Sequence, residues 1–340
     1  MPNDDRRRRV LRGLMFLLGA GLVLALLAAG ALFAVTQQFS DRMHRYEGVF
    51  AIDPSTRPVQ GEGQTFLLVG TDTRSPDPTT GTEATASDWV PGMQRSDVIM
   101  LVNVSDDGTH SSVVSIPRDS WVSIPGRGMN KINAAYSWGG PSLLVQTVES
   151  LTRVRVDHFA VIDFAGFAQM TDAAGGIDVT VGQATNFGGV AVPAGPQHLN
   201  GTQALSYVRE RKSLPGGDFD RVRRQQNALR ALATSAISSG TLSSPTQAYG
   251  LADSLATWVG VDDTFSANDL RAFVWGLRDL RASNIDFLTA PVTGTGTEGA
   301  ASVVYLDADR GSELWFAMNT DAVPAWVASH PSAALPAVLR

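Results

Sequence analysis

Three short charged segments stand directly against apolar, β-branched runs of a 340-residue chain. The run Phe66–Val69 ends at Gly70, and Thr71, Asp72, Thr73 and Arg74 follow it. Arg95, Ser96 and Asp97 immediately precede the run Val98–Val104. Pro117, Arg118 and Asp119 follow the run Ser111–Ile116. Each alone reads as readily as a turn cap or a surface ion pair. Together they place charge at strand ends, where open α/β sheets hold their ligands. Asp72 and Asp97 are carboxylates of the kind that hold magnesium, which takes one or two carboxylates and completes its shell with phosphate oxygens and water. The arginines are suited to meet a diphosphate through bidentate, charge-assisted hydrogen bonds.

A fourth segment adds positive charge where the rest of the chain lacks it. Residues 205–226 hold Arg209, Arg211, Lys212, Arg221, Arg223 and Arg224 against Glu210, Asp218 and Asp220, a balance of +3. The whole chain carries −6; its first twelve residues contribute +3 (five arginines, two aspartates), so the other 328 sum to −9. If Tyr207–Arg211 is extended, Arg209 and Arg211 point the same way. A helix over Phe219–Ile237, with Val222, Leu229, Leu232 and Ala233 as its buried stripe, puts Arg221, Arg224 and Gln225 in one arc and Arg223 on the other flank. The loop 212–218 between them lets the two groups converge.

The elements that must position these residues alternate along the chain. Strand-like runs cover Thr65–Val69, Val98–Val104, Ser111–Ile116, Val156–Ile162, Ile177–Val181, Ile285–Leu288 and Ser302–Leu306. Helices are expected at Pro141–Leu151, at Phe164–Ala174 behind an Asp163 cap, from a Thr202 cap through Leu205, at Phe219–Ile237, and at Ala267–Arg281 behind Ser266. That alternation predicts an α/β fold, a mixed sheet between helices. Ser75–Gln94 is a long polar stretch of the kind that is functional or disordered.

The N-terminus reads as a membrane anchor. Residues 13–35 carry no charge, long enough to span a bilayer, and Arg6, Arg7, Arg8, Arg9 and Arg12 precede them, which keeps the N-terminus inside. The expected organisation is a cytoplasmic tail (1–12), a transmembrane helix (13–35), a stalk (36–64), an extracytoplasmic catalytic domain (65–320) and a peripheral tail (321–340). The absence of cysteine excludes a disulfide framework, a thiolate metal site and a cysteine nucleophile. The five histidines show no metal-ligand spacing. An acidic outer domain is a poor match for nucleic acid.

The motifs Gly-Thr-Asp-Thr-Arg, Arg-Ser-Asp, Ser-Ile-Pro-Arg-Asp-Ser, Lys131 to Tyr136, Asp172 to Ile177, His198 to Leu205, Tyr207 to Arg211 and Asp220 to Gln226 resemble, in order, those of the LytR–CpsA–Psr family. The resemblance is dense from Thr65 to about Leu232 and weaker to about Met318. It implies a mixed α/β/α sandwich and a magnesium-assisted phosphotransferase (with manganese as a substitute metal). The donor would be a glycopolymer on a polyprenyl pyrophosphate carrier, and the acceptor a peptidoglycan hydroxyl. Asp72 and Asp97 match the family's metal carboxylates. Arg95, Arg118, Arg209, Arg211, Arg221, Arg224 and Gln225 match its pyrophosphate binders. Asp97 and Asp119 are the candidates to take the acceptor proton, beside Arg118. Two other readings are a pyrophosphatase on the same carrier and a non-catalytic envelope regulator. Intact Asp72, Asp97 and Arg118 weigh against a scaffold, and twelve cytoplasmic residues are too few for a DNA-binding domain.

Overall fold

The computed structural model describes residues 44–73, 79–80, 89–187, 190–210 and 216–339. The expected tail 1–12 and membrane helix 13–35 lie outside them, as do residues 36–43, most of the polar stretch 74–88, and Arg211. Among the described residues no helix is long and apolar enough to cross a membrane.

Along the chain the strands are β1 (His44–Tyr46), β2 (Gln64–Thr73), β3 (Gln94–Val104), β4 (Ser111–Ser115), β5 (Trp121–Ile124), β6 (Gly128–Lys131) and β7 (His158–Asp163). Then come β8 (Ile177–Val181), β9 (Thr185–Phe187), β10 (Val190–Val192), β11 (Gly195–Leu199), β12 (Gly260–Asp262), β13 (Ile285–Thr289), β14 (Val292–Glu298) and β15 (Ala301–Leu306). The helices are α1 (Asn133–Thr152), α2 (Phe164–Ala173), α3 (Gly201–Arg209), α4 (Asp218–Ser238), α5 (Pro245–Trp258), α6 (Ala267–Gly276), α7 (Ala308–Asn319) and α8 (Val323–Ser329). Seven strands form one mixed sheet in the order β1-β12-β7-β2-β3-β4-β13. β2 runs antiparallel to β3 and parallel to β7, and β4 runs parallel to β13.

Alternation along the strands gives the sheet two apolar faces. Leu67, Val69, Ile99, Leu101, Val114, Phe159 and Val161 pack with Leu144, Val145 and Val148 of α1 and Leu314 and Met318 of α7. On the other face Met100, Val113 and Phe287 meet Leu68, Val102 and Leu229 of α4, and Phe66 lies 4.6 Å, ring to ring, from Phe273 of α6. Helices therefore cover both faces.

Two expected boundaries differ. Residues 44–64, expected as stalk, belong to the domain: β1 pairs with β12 at the sheet edge, Val49 and Ile52 join the core, and Arg57 forms a bidentate pair with buried Glu149. Residues 321–340, expected as peripheral, also pack inward: Val323 and Trp326 enter the core, and the amide of Leu335 donates to Phe287 O. Ile177–Val181 and Ser302–Leu306 are strands as expected but lie in separate hairpins. Asp163 and Ser266 cap their helices as expected, whereas α3 starts from Asn200, in a capping box with Gln203, instead of Thr202. α1 begins eight residues before the expected Pro141 and kinks at Gly139–Gly140, where Gly140 takes a positive φ.

Candidate active site

The charged segments converge at one end of the sheet. Antiparallel pairing brings the C-terminal end of β2, the N-terminal end of β3 and the loop after β4 together. A bulge shapes the first junction: Gly70 pairs with Val98 and Thr71 with Ser96, so Asp97 is the extra residue of β3. Bulges bend a strand and re-aim a side chain. Glycine is required there, because a Cβ on residue 70 would lie 2.8 Å from Val98 Cβ. The same register sets Asp72 opposite Arg95. The Asp72 side chain is outside the described residues.

After β4 the chain turns at Pro117–Ser120, where the Ser120 amide and hydroxyl both donate to Pro117 O. Asn133 N donates to Arg118 O and Val304 N to Asp119 O, so the turn is pinned from two sides. It presents Arg118, whose Nη1 donates to Asp97 Oδ1 at 2.5 Å, and Asp119, which lies 3.0 Å from Lys131 Nζ and 3.7 Å from Arg118 Nε. Arg118 Nη2 lies 3.6 Å from Asp218 Oδ1, and Arg221 Nη2 lies 2.6 Å from the same oxygen. Burial alone would depress the Arg118 guanidinium; the charge and hydrogen bond of Asp97, with Asp218 and Asp119, more than offset this and hold it above its ordinary value.

The placement of α4 depends on buried polar side chains. Gln226 Nε2 donates to Ser115 Oγ at 2.9 Å, to Leu288 O and to Thr289 Oγ1, tying the helix to the ends of β4 and β13. Asn227 Nδ2 donates to Tyr207 Oη at 2.9 Å, and the Arg224 guanidinium lies over the Tyr207 ring, 5.0 Å from its centroid. Burial lowers Arg224, with partial compensation from Tyr207, Glu210 and Asp220. The expected stripe is thereby corrected. Val222 is buried, but Leu229, Leu232 and Ala233 are only half-buried, while Arg221, Arg224, Gln225, Gln226 and Asn227 are buried. Arg223 is exposed and pairs with Asp220, on the flank expected for it.

The expected extended segment Tyr207–Arg211 is also corrected. Tyr207 to Arg209 continue α3, because its capping box starts a helix that runs on to Arg209. Arg209 is exposed and lies over the Phe164 ring, 4.7 Å from its centroid, at the end of β7 that shares the site's side of the sheet. Arg95 is exposed. Thus Asp97, Arg118, Asp119 and Arg221 form one contact network. Arg95 stands at the start of β3 and Arg209 over Phe164 at the same end of the sheet, while Arg224 and Gln225 are buried on α4. Lys131 and Asp218 complete the network. Lys131 stood in a recognised motif as one of only two lysines, whereas Asp218 carried no signal beyond its place at a helix start.

A magnesium ion is implied by the family resemblance. Among the described residues no three His, Cys, Asp or Glu side chains gather at one point. Magnesium bound to a diphosphate requires only one or two carboxylates. Asp97, on the strand paired with that of Asp72, is a hard oxygen donor of that kind, so the residues fit the ion.

These features define an α/β domain with a cluster of ion-paired arginines and aspartates at one end of a mixed sheet. The LytR_cpsA_psr family model matches residues 33–320, and the chain belongs to that family. It is 35% identical to the cell wall biosynthesis protein LcpA of Corynebacterium glutamicum, over 72% of this chain and 53% of LcpA, so the match spans about half of that relative. It is 33% identical to the polyisoprenyl-teichoic acid–peptidoglycan teichoic acid transferase TagU of Oceanobacillus iheyensis, over 72% of this chain and 75% of TagU. The crystal structure of Bacillus subtilis TagV superposes with a TM-score of 0.62 at 25% identity, covering 78% of this chain and 99% of that one.

Proposed function

We propose that this protein is a membrane-anchored phosphotransferase. It moves a glycopolymer from a polyprenyl pyrophosphate carrier to a peptidoglycan hydroxyl on the outer side of the cell membrane. The observation that carries the reading is the partly buried Asp97–Arg118–Asp218–Arg221 network at one end of the sheet, in a chain of this family. The name of TagU describes a transfer of the same kind.

The acceptor oxygen attacks the phosphorus that carries the glycopolymer. A new P–O bond forms, the P–O bond to the lipid phosphate breaks, and its electron pair leaves with that phosphate. Such reactions depend on positioning and charge neutralisation. Arg118 and Arg221 face the diphosphate from two elements and neutralise charge on the leaving lipid phosphate, with Arg95, Arg209, Arg224 and Gln225 as further binders; the family resemblance adds Arg211, which lies outside the described residues. Asp119, oriented by Lys131, or Asp97 takes the acceptor proton. Asp72 and Asp97 are the residues that would hold a magnesium ion, which would supply further charge neutralisation for the diphosphate.

A ligand that binds only the folded protein raises its melting temperature. A polyprenyl pyrophosphate analogue is expected to do so for the full-length chain in detergent, and Arg118→Ala or Arg221→Ala to remove most of the rise. Arg223→Ala, exposed and paired elsewhere, should change it little. An equal rise in all four proteins would contradict the assignment.

A further inference from the structure

Asp218 stands where a bound anion would. Its contact with Arg221, three residues on, is an ordinary pair at a helix start, and an acidic residue suits the first turn of a helix. Its approach to Arg118 is not explained that way, because Arg118 belongs to a turn a hundred residues earlier. One carboxylate oxygen thus lies between two largely buried guanidinium groups from separate elements, 2.6 Å from one and 3.6 Å from the other. A phosphate oxygen bridging the same pair would take that position.

The charge balance points the same way. Arg118, Lys131 and Arg221 contribute three positive charges to the network, and Asp97, Asp119 and Asp218 three negative ones, so it is neutral as it stands. A diphosphate diester brings two more negative charges. For one phosphate oxygen to engage both Arg118 Nη2 and Arg221 Nη2, the carboxylate that these two groups now share must withdraw. Asp97 sits in the bulge of β3 and Asp119 is held by Lys131, with side chains 11% and 23% exposed. Asp218 is 31% exposed and opens α4 directly after Gly216 and Gly217; Gly217 has φ 55° and offers no side-chain cap. Its carboxylate can rotate into solvent without breaking a core contact.

We infer that Asp218 is an internal competitor for the anion site: it and the substrate diphosphate exchange places on Arg118 and Arg221. This rests on the diphosphate reading of the site and adds a consequence for turnover. The diphosphate meets the two arginines with two phosphoryl groups. The lipid monophosphate left after transfer has only one, so Asp218 regains its contacts and favours product release.

The test is calorimetric titration of the full-length chain in detergent with inorganic pyrophosphate and with inorganic phosphate. Asp218→Asn keeps the size of the side chain and removes its charge; Asp218→Ser is a second variant should the first fail to fold. Pyrophosphate is expected to bind either variant about tenfold more tightly than wild type. Arg221→Ala should weaken binding. Unchanged or weaker pyrophosphate binding by a folded Asp218 variant, with wild type binding normally, would overturn the competitor and leave Asp218 a brace for the arginines. No binding by wild type or by any variant would overturn the diphosphate reading and this inference with it.

Discussion

Gln226 is uncharged and makes no ion pair, yet it holds the arginine helix against the sheet. Its buried amide donates to Ser115, Leu288 and Thr289. Gln226→Ala would leave those acceptors without a donor, and a buried polar group deprived of its partner costs about 1–3 kcal/mol. Urea denaturation should show a loss of that order, with weaker diphosphate binding as α4 loosens; unchanged stability would show that the amide is dispensable. At this scale the sequence was informative about charge and silent about such anchors. Asp97, Arg118 and Arg221 stood out because charged side chains next to apolar runs need a reason. Gln226 and Asn227 did not, because polar residues on an amphipathic helix are ordinarily solvated, and only the strand ends they meet reveal otherwise. The convergence of Arg118 with Asp218, a hundred residues apart, is set by tertiary packing alone.

Among the elements, the bulge between β2 and β3 has the largest consequence for the site. It makes Asp97 the extra residue of its strand, and it requires Gly70 to approach Val98 closely. Gly70→Ala forces a methyl group against Val98, an overpacking that costs about 1–3 kcal/mol. The variant should lose both stability and transfer activity, and Val98→Ala in the same chain should restore part of each. If Gly70→Ala alone were neutral, the close approach would not be what sets the bulge. The inner strands were legible because they are apolar and β-branched, and the caps at Asp163 and Ser266 because each stands one residue before an apolar helical run. β1 was not: three residues, His-Arg-Tyr, become a strand only because β12, over two hundred residues later, supplies a parallel edge. The extent of α3 differs from the sequence expectation for the converse reason. A local capping box at Asn200 carries the helix through Arg209, past Leu205 and into the segment for which an extended form was considered.

At the scale of the whole molecule, the proposed function requires a domain outside the cell, with residues 13–35 as its membrane tether. Protease added to intact spheroplasts should degrade the domain and spare the twelve N-terminal residues; protection of the domain would reverse the orientation and remove the cell-wall role. For the proposed phosphoryl transfer at a lipid carrier, the acceptor decides between a ligase and a pyrophosphatase. The direct measurement follows a glycan-labelled polyprenyl pyrophosphate donor incubated with peptidoglycan, magnesium and the full-length protein in detergent. The account predicts that label becomes covalently attached to peptidoglycan through a phosphodiester as polyprenyl monophosphate is released. It also predicts that Arg118→Ala lowers the rate about a hundredfold, the scale of losing one charge-stabilising donor, and that a chelator suppresses it. Label recovered only as free phosphorylated glycan, or transfer at equal rates by wild type and Arg118→Ala, would contradict it.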